Sequence, residues 1–127
     1  MYSIPIILTV DDSHLIRKIV ARALRSFKCR VIEAEDGEIG LKCIEEHKPS
    51  LVILDQNMPN MDGFEMLKHL RTNPSIKATK VIMLTANSTP EFIQTAVALG
   101  VRDYIVKPFD DNQFMTKVLR QVQLSRA

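Results

Sequence analysis

Short, almost wholly apolar runs alternate along this chain with longer stretches in which apolar residues recur every three or four positions. Residues 4–10 and 51–54 are runs that lead into acids, and residues 80–84 lead into Thr85. Such runs suit strands buried on both faces, as in a parallel sheet. Shorter strands are predicted at residues 30–34 and 102–106. Ile16, Ile19, Val20, Ala23, Leu24 and Phe27 mark the buried face of a helix capped by Ser13. Asp36 and Gly37 open a second helix with Gly40, Cys43 and Ile44 inward. Asp62 and Glu65 are spaced as a capping box for a third, whose buried stripe is Phe64, Leu67 and Leu70. Thr89 and Pro90 start a fourth through Phe92, Ile93, Ala96 and Val97, with Gly100 as its left-handed exit. Asp110 and Gln113 cap a fifth, which turns Phe114, Val118, Leu119 and Val122 inward.

Five strands alternating with five helices predict an α/β fold: a doubly wound, five-stranded parallel sheet with right-handed crossovers. The strand order 2-1-3-4-5 places two helices on one face and three on the other. It also leaves a reversal between the first and third strands, where ligands of such sheets bind. No linker, repeat or low-complexity segment divides residues 1–127, so one domain is expected.

Composition narrows the function classes. Apolar residues make up 46% and charged residues 25% of the 127, the ordinary balance of a globular domain. A net charge of +2 gives no electrostatic reason to expect nucleic acid or an acidic membrane as partner. The apolar runs fall far short of the roughly 20 residues of a membrane span. Pro5 and Asp11 interrupt the start too early for a secretory signal, so a cytoplasmic location is expected. Cys29 and Cys43 form no CxxC, and Cys43 with His47 is too small a set for zinc; both thiols are expected as small, buried or half-buried groups.

The residues that end the strands carry the chemistry. The first strand runs into Asp11 and Asp12, the third into Asp55, the fourth into Thr85 and the fifth into Lys107, and the fold predicts that all five meet in one crevice. Two like charges about 4 Å apart repel by roughly 4 kcal/mol at an effective dielectric of 20, so three clustered carboxylates require a cation. Lys107 supplies part of it, and a hard divalent ion of the magnesium type answers the oxygen donors better. Magnesium beside few carboxylates, a lysine and a hydroxyl suggests phosphoryl chemistry, with Asp55 as the central nucleophile. Lys107 and the metal would hold the non-bridging oxygens while the Thr85 hydroxyl donates to one of them.

These residues resemble the receiver domain of bacterial two-component response regulators, especially stand-alone receivers of the chemotaxis and sporulation-relay type. The resemblance spans essentially the whole chain. It rests on Asp11-Asp12, on the segment from Asp55 through Gln56, Asn57, Met58, Pro59, Asn60, Met61 and Asp62 to Gly63, on Thr85-Ala86, and on Tyr104-Ile105-Val106-Lys107-Pro108-Phe109. It implies a flavodoxin-like fold. It implies that Asp12 and Asp55 bind Mg2+ directly, Asp11 mainly through water and Asn57 through its carbonyl. Asp55 would take a phosphoryl group from a histidine kinase or histidine phosphotransfer protein. Thr85 and Tyr104 would form a switch pair that passes the signal to the surface of the fourth helix, fifth strand and fifth helix, where a downstream protein target binds. A cis Lys107-Pro108 bond would aim Lys107 into the crevice. Asn57 and Asn87 stand where the family tunes the lifetime of the acyl phosphate. The chain would be a monomer or a dimer formed on phosphorylation, without independent enzymatic activity and without nucleic-acid binding by this segment.

Other readings remain to be separated. One is a receiver cut from a longer regulator, with residues 125–127 beginning a linker. Another is a magnesium-dependent aspartyl phosphatase, which needs a second acid two residues after the nucleophile; Asn57 holds that place. A third is a receiver that only binds, although every phosphorylation residue is present. Arg17, Lys18, Arg22, Arg25, Lys28 and Arg30 make the first helix and its exit basic, either a solvated face or a dock for an acidic, histidine-bearing helix bundle.

Overall fold

A computed structural model describes residues 4–127. Its strands are β1 (Ile6–Val10), β2 (Arg30–Ala34), β3 (Leu51–Asp55), β4 (Val81–Thr85) and β5 (Asp103–Val106). They alternate with α1 (His14–Leu24), α2 (Gly37–His47), α3 (Gly63–Thr72), α4 (Pro90–Ala98) and α5 (Asp111–Gln121). All strands pair in parallel, in the order β2-β1-β3-β4-β5. Val10 lies beside Leu54 and Ala34, Asp55 beside Leu84, and Thr85 beside Val106, which brings the carboxyl ends of the strands level along one edge.

Every residue of β3 and β4 is buried, as continuous apolar sequence requires of strands covered on both faces. Alternation along the strands divides the core. Leu8, Val10, Val52, Leu54, Val81 and Met83 pack against Ile44, Leu67 and Phe92 of α2, α3 and α4. Ile7, Leu51, Ile53, Ile82 and Leu84 pack against Val20 and Leu24 of α1 and Phe114 and Val118 of α5. Five side chains, of Ser13, Asp36, Asp62, Thr89 and Asp110, accept backbone N–H groups at the helix starts, two of them within full capping boxes. Gly100 follows α4 with φ 77°, the left-handed geometry its position predicts.

Two expected core residues face outward. Val97 is 65% and Leu119 42% exposed, because each follows a buried or half-buried position by one residue, about 100° further round its helix. Phe27 lies beyond α1, bridging to Arg126 in antiparallel fashion with the guanidinium 5.0 Å from its ring. Residues 125–127 thus pair back onto residues 26–28, through Lys28 N–H to the Ser125 carbonyl and Ala127 N–H to the Ser26 carbonyl. Cys29 and Cys43 are free and half-buried.

The basic face of α1 is partly committed within the fold. Arg17 and Lys18 both pair with Glu33 on β2, at 3.0 and 3.1 Å. Burial disfavours the Glu33 carboxylate, but hydrogen bonds and charge from Lys18 and Arg17 outweigh it and hold its pKa below the usual glutamate range. A depressed value means that this stabilisation is present at neutral pH and is lost as acid takes the medium through that range and below. Glu33→Gln is expected to lower stability by about 0.5–1 kcal/mol at pH 7 and by much less near pH 3. Urea unfolding at both pH values checks this; equal deficits would show that charge is not the origin.

Candidate functional site

The site is assembled by the ends of β1, β3, β4 and β5 and the loops that leave them. Asp11 follows β1 and is 1% exposed. Its loop is held from several sides: its N–H donates to the Ala34 carbonyl, its Oδ1 accepts from Ser13 N–H at 2.9 Å, and its carbonyl accepts from Arg17 Nη1 at 2.6 Å. Asp12, one residue on, is exposed. Asp55 closes β3 and is 6% exposed. Lys107, beyond the end of β5, places its Nζ 3.2 Å from Asp55 Oδ1 and 3.5 Å from Asp11 Oδ2. The Lys107-Pro108 bond is cis.

One carboxylate oxygen from each of Asp11, Asp12 and Asp55 lies within 4.8 Å of the others. Among the described residues they form the one cluster of three such ligands; Cys43 and His47 belong to none. Burial pushes the Asp55 carboxyl upward, the charge of Asp11 adds to this, and Lys107 opposes it. Burial likewise raises Asp11, with Asp12 adding and the Ser13 amide and Lys107 opposing. Asp11 Oδ2 is buried without a hydrogen-bond partner, with the Lys107 ammonium 3.5 Å away as an ion-pair contact. A buried carboxylate oxygen in that condition beside two more acids fits a small, oxygen-seeking divalent cation.

Thr85 closes β4, 1% exposed, and its Oγ1 accepts from Asn87 N–H at 2.9 Å. Asn87 Oδ1 in turn accepts from Thr89 N–H, the cap of α4. Tyr104 lies further back on β5, half-buried against the α2-α3-α4 side of the core. Asn57 is exposed in the loop after β3, in which Met58 and Met61 pack on the core. The fold therefore brings Asp11, Asp12 and Asp55 together with Lys107 against Asp11 and Asp55, sets Thr85 on the strand end beside β3, and leaves Tyr104 on the opposite face from Ile105.

Sequence reasoning overlooks two supporting residues. Arg17 grips the Asp11 carbonyl while paired with Glu33, and its place in the first turn after an acidic pair was the available signal. Gln56 fixes the return from β3 to α3: its Oε1 accepts from Phe64 N–H and its carbonyl from Gly63 N–H, both at 2.9 Å. Two cavities are lined by none of Asp11, Asp12 and Asp55. One of about 480 Å3 runs between β5 and α5, and one of about 290 Å3 borders Lys107 beside Ile16, Ile19, Pro108 and Phe109. The cluster suits a small charged group rather than an engulfed substrate.

Over residues 7–119 the sequence matches the family described as Response regulator receiver domain. The chain belongs to that family. This receiver domain is 41% identical over 105 residues to a probable chemotaxis protein CheY of Rhizobium etli, covering 81% of each chain. It is 44% identical over 108 residues to a protein-glutamate methylesterase/protein-glutamine glutaminase of Koribacter versatilis, covering 80% of this chain but only 28% of that longer protein. The receiver fold also superposes on the crystallised chemotaxis protein CheY4 of Vibrio cholerae with a TM-score of 0.88 at 33% identity, over 94% of this chain and 100% of that one. No helix among the described residues is long and apolar enough to cross a membrane.

Proposed function

We propose that this receiver domain is a phosphorylation switch, with residues 1–127 acting as one unit and Asp55 as the phosphoryl acceptor. The observation that carries the reading is the buried acidic cluster whose Asp11 Oδ2 has no hydrogen-bond partner, set against a single lysine. A magnesium-type ion held by Asp11, Asp12, Asp55 and the Asn57 carbonyl would supply positive charge for the non-bridging oxygens of the incoming group. Asp55 attacks the phosphorus of a phosphohistidine on a kinase or phosphotransfer protein. The new O–P bond forms as the P–N bond breaks, and the electron pair returns to the imidazole nitrogen.

Lys107, already within 3.2 Å of Asp55, neutralises the charge that gathers on the transferred oxygens. Thr85 uses its oxygen to accept from Asn87, which leaves its hydroxyl proton to donate to the phosphoryl group. Movement of Thr85 toward that group then draws Tyr104 inward and changes the surface of α4, β5 and α5 for a downstream protein. The domain is cytoplasmic in this reading, carries no other enzymatic activity, and exists as a monomer or as a dimer formed on phosphorylation. Its similarity to 28% of a longer methylesterase supports a second reading, that the same switch serves as one part of a larger regulator.

Incubation with a small phosphoryl donor, with and without magnesium, followed by intact-mass measurement tests the proposal. A single phosphate-sized adduct that forms only with the metal is expected. No adduct, or steady turnover of a phosphate ester, would overturn it.

A further inference from the structure

Lys117 makes contacts that neither the core nor the acidic cluster requires. It belongs to α5, whose Phe114 and Val118 pack on the face of the sheet shared with α1. Tyr104 belongs to the edge strand β5 and packs with the cluster on the opposite face. The Lys117 side chain therefore reaches round the open edge of the sheet. There its ammonium lies 2.7 Å from the Tyr104 carbonyl oxygen, 3.1 Å from Asp103 Oδ1 and 4.9 Å from the centre of the Tyr104 ring. The same Asp103 Oδ1 accepts from Tyr104 N–H at 2.8 Å. One ion pair thus engages the backbone donor, the backbone acceptor and the ring of a single residue.

Pairing with the Asp103 carboxylate alone would let the ammonium sit at any of several places round its oxygens. Its position by the Tyr104 ring adds an attraction between the charge and the negative ring face, strengthened where water is partly excluded. Exclusion is substantial here: the Lys117 and Asp103 side chains are 31% and 21% exposed. We infer that Lys117 is a positioning residue for Tyr104, holding the ring in its present orientation and so setting how readily it moves. The inference rests on the reading of Tyr104 as half of the switch. Lys117 also walls the groove between β5 and α5, together with Ile105, Asn112 and Thr116. A partner seated there and the phosphoryl site consequently act on the same ring, and each influences the other's equilibrium by an equal factor.

The test observes a fluorine-labelled tyrosine at position 104 by NMR in the 127-residue chain, comparing the wild type with Lys117→Met, Lys117→Arg and Asp103→Asn. Methionine keeps the length of the side chain and removes its charge. Without phosphoryl donor, Lys117→Met is expected to shift the ratio of ring signals by roughly threefold to tenfold toward the form seen with magnesium and acetyl phosphate. Arginine should hold the wild-type ratio, and Asp103→Asn should move it less far in the methionine direction. A methionine variant whose ring signal coincides with the wild type overturns the inference, as does an arginine variant that departs just as far. A wild-type ring indifferent to magnesium and acetyl phosphate would overturn the switch reading instead. The donor-free comparison would then still decide whether Lys117 holds the ring.

Discussion

Asparagine in place of Asp55 is expected to abolish the phosphate-sized adduct and, in metal-free buffer, to raise the stability of the domain. The first effect follows from the proposed chemistry: an amide offers no carboxylate nucleophile for the acyl phosphate bond. The second follows from the electrostatics of the cluster. Burial and the charge of Asp11 raise the Asp55 pKa, so the folded domain favours its protonated form. A raised value means that this favourable contribution is complete in acid below the ordinary aspartate range and disappears as pH climbs through the folded value. At neutral pH the ionised group therefore destabilises the fold. Asparagine keeps the shape and an oxygen able to accept from Lys107, while removing the charge. A gain of about 1 kcal/mol is expected at pH 7, shrinking as the pH falls through the raised folded value and gone once it is below the ordinary aspartate range. Thermal unfolding across pH, run beside the mass measurement, reads both effects. A variant less stable than wild type at pH 7 would mean that Lys107 overcompensates the acids.

That instability explains why the rest of the strand-end architecture is so heavily tied. Asp11 is held through its N–H by β2 and through its carbonyl and Oδ1 by α1 and its capping residue, and the loop after Asp55 by two hydrogen bonds to Gln56. The groups so restrained repel one another and avoid burial, and a chain free to relax would separate them. In the proposed reading, function works against local stability at this cluster.

Most of this arrangement was legible because its determinants are local. The apolar runs of β1, β3 and β4, the capping residues Asp62 with Glu65 and Asp110 with Gln113, and the left-handed Gly100 are each written within a few consecutive positions. The acids and the lysine were legible for a related reason: the parallel topology converts the ends of the strands into places along one edge, where Thr85 also stands. Interactions between distant segments were not. Nothing in the periodicity of α1 assigns Arg17 to Glu33 sixteen residues away, or sends Lys117 round the sheet edge to Tyr104. The outward faces of Val97 and Leu119 were missed because helical spacing marks an apolar stripe without fixing its width, which depends on how much sheet each helix covers.

Gly63 shows how far tertiary geometry can reverse a local rule. It is the first residue of α3, where alanine is the better helix former by up to about 1 kcal/mol. A methyl group added there, however, would stand 2.6 Å from the Asp55 carbonyl oxygen, 2.9 Å from Gln56 Oε1 and 3.0 Å from Met83 Cε. The nearest atom is main chain at the end of a fully buried strand, so relief requires the β3-α3 connection itself to shift. Gly63→Ala is accordingly expected to lose about 2–3 kcal/mol of stability rather than gain it. Because the displaced backbone is that of Asp55, phosphoryl transfer should also slow by roughly 10- to 100-fold under conditions where the variant remains folded. Gly40 in α2 provides the internal comparison: its added methyl would meet only side-chain atoms, of Val10 and Met66 at 3.1–3.3 Å, and these need to give by only a few tenths of an ångström. Gly40→Ala should therefore stay within about 1 kcal/mol of the wild type and keep its phosphorylation rate. Urea unfolding with phosphate incorporation followed by mass distinguishes the two substitutions. A Gly63→Ala domain as stable and as reactive as the Gly40 variant would show that the chain between Asp55 and α3 is not rigidly placed.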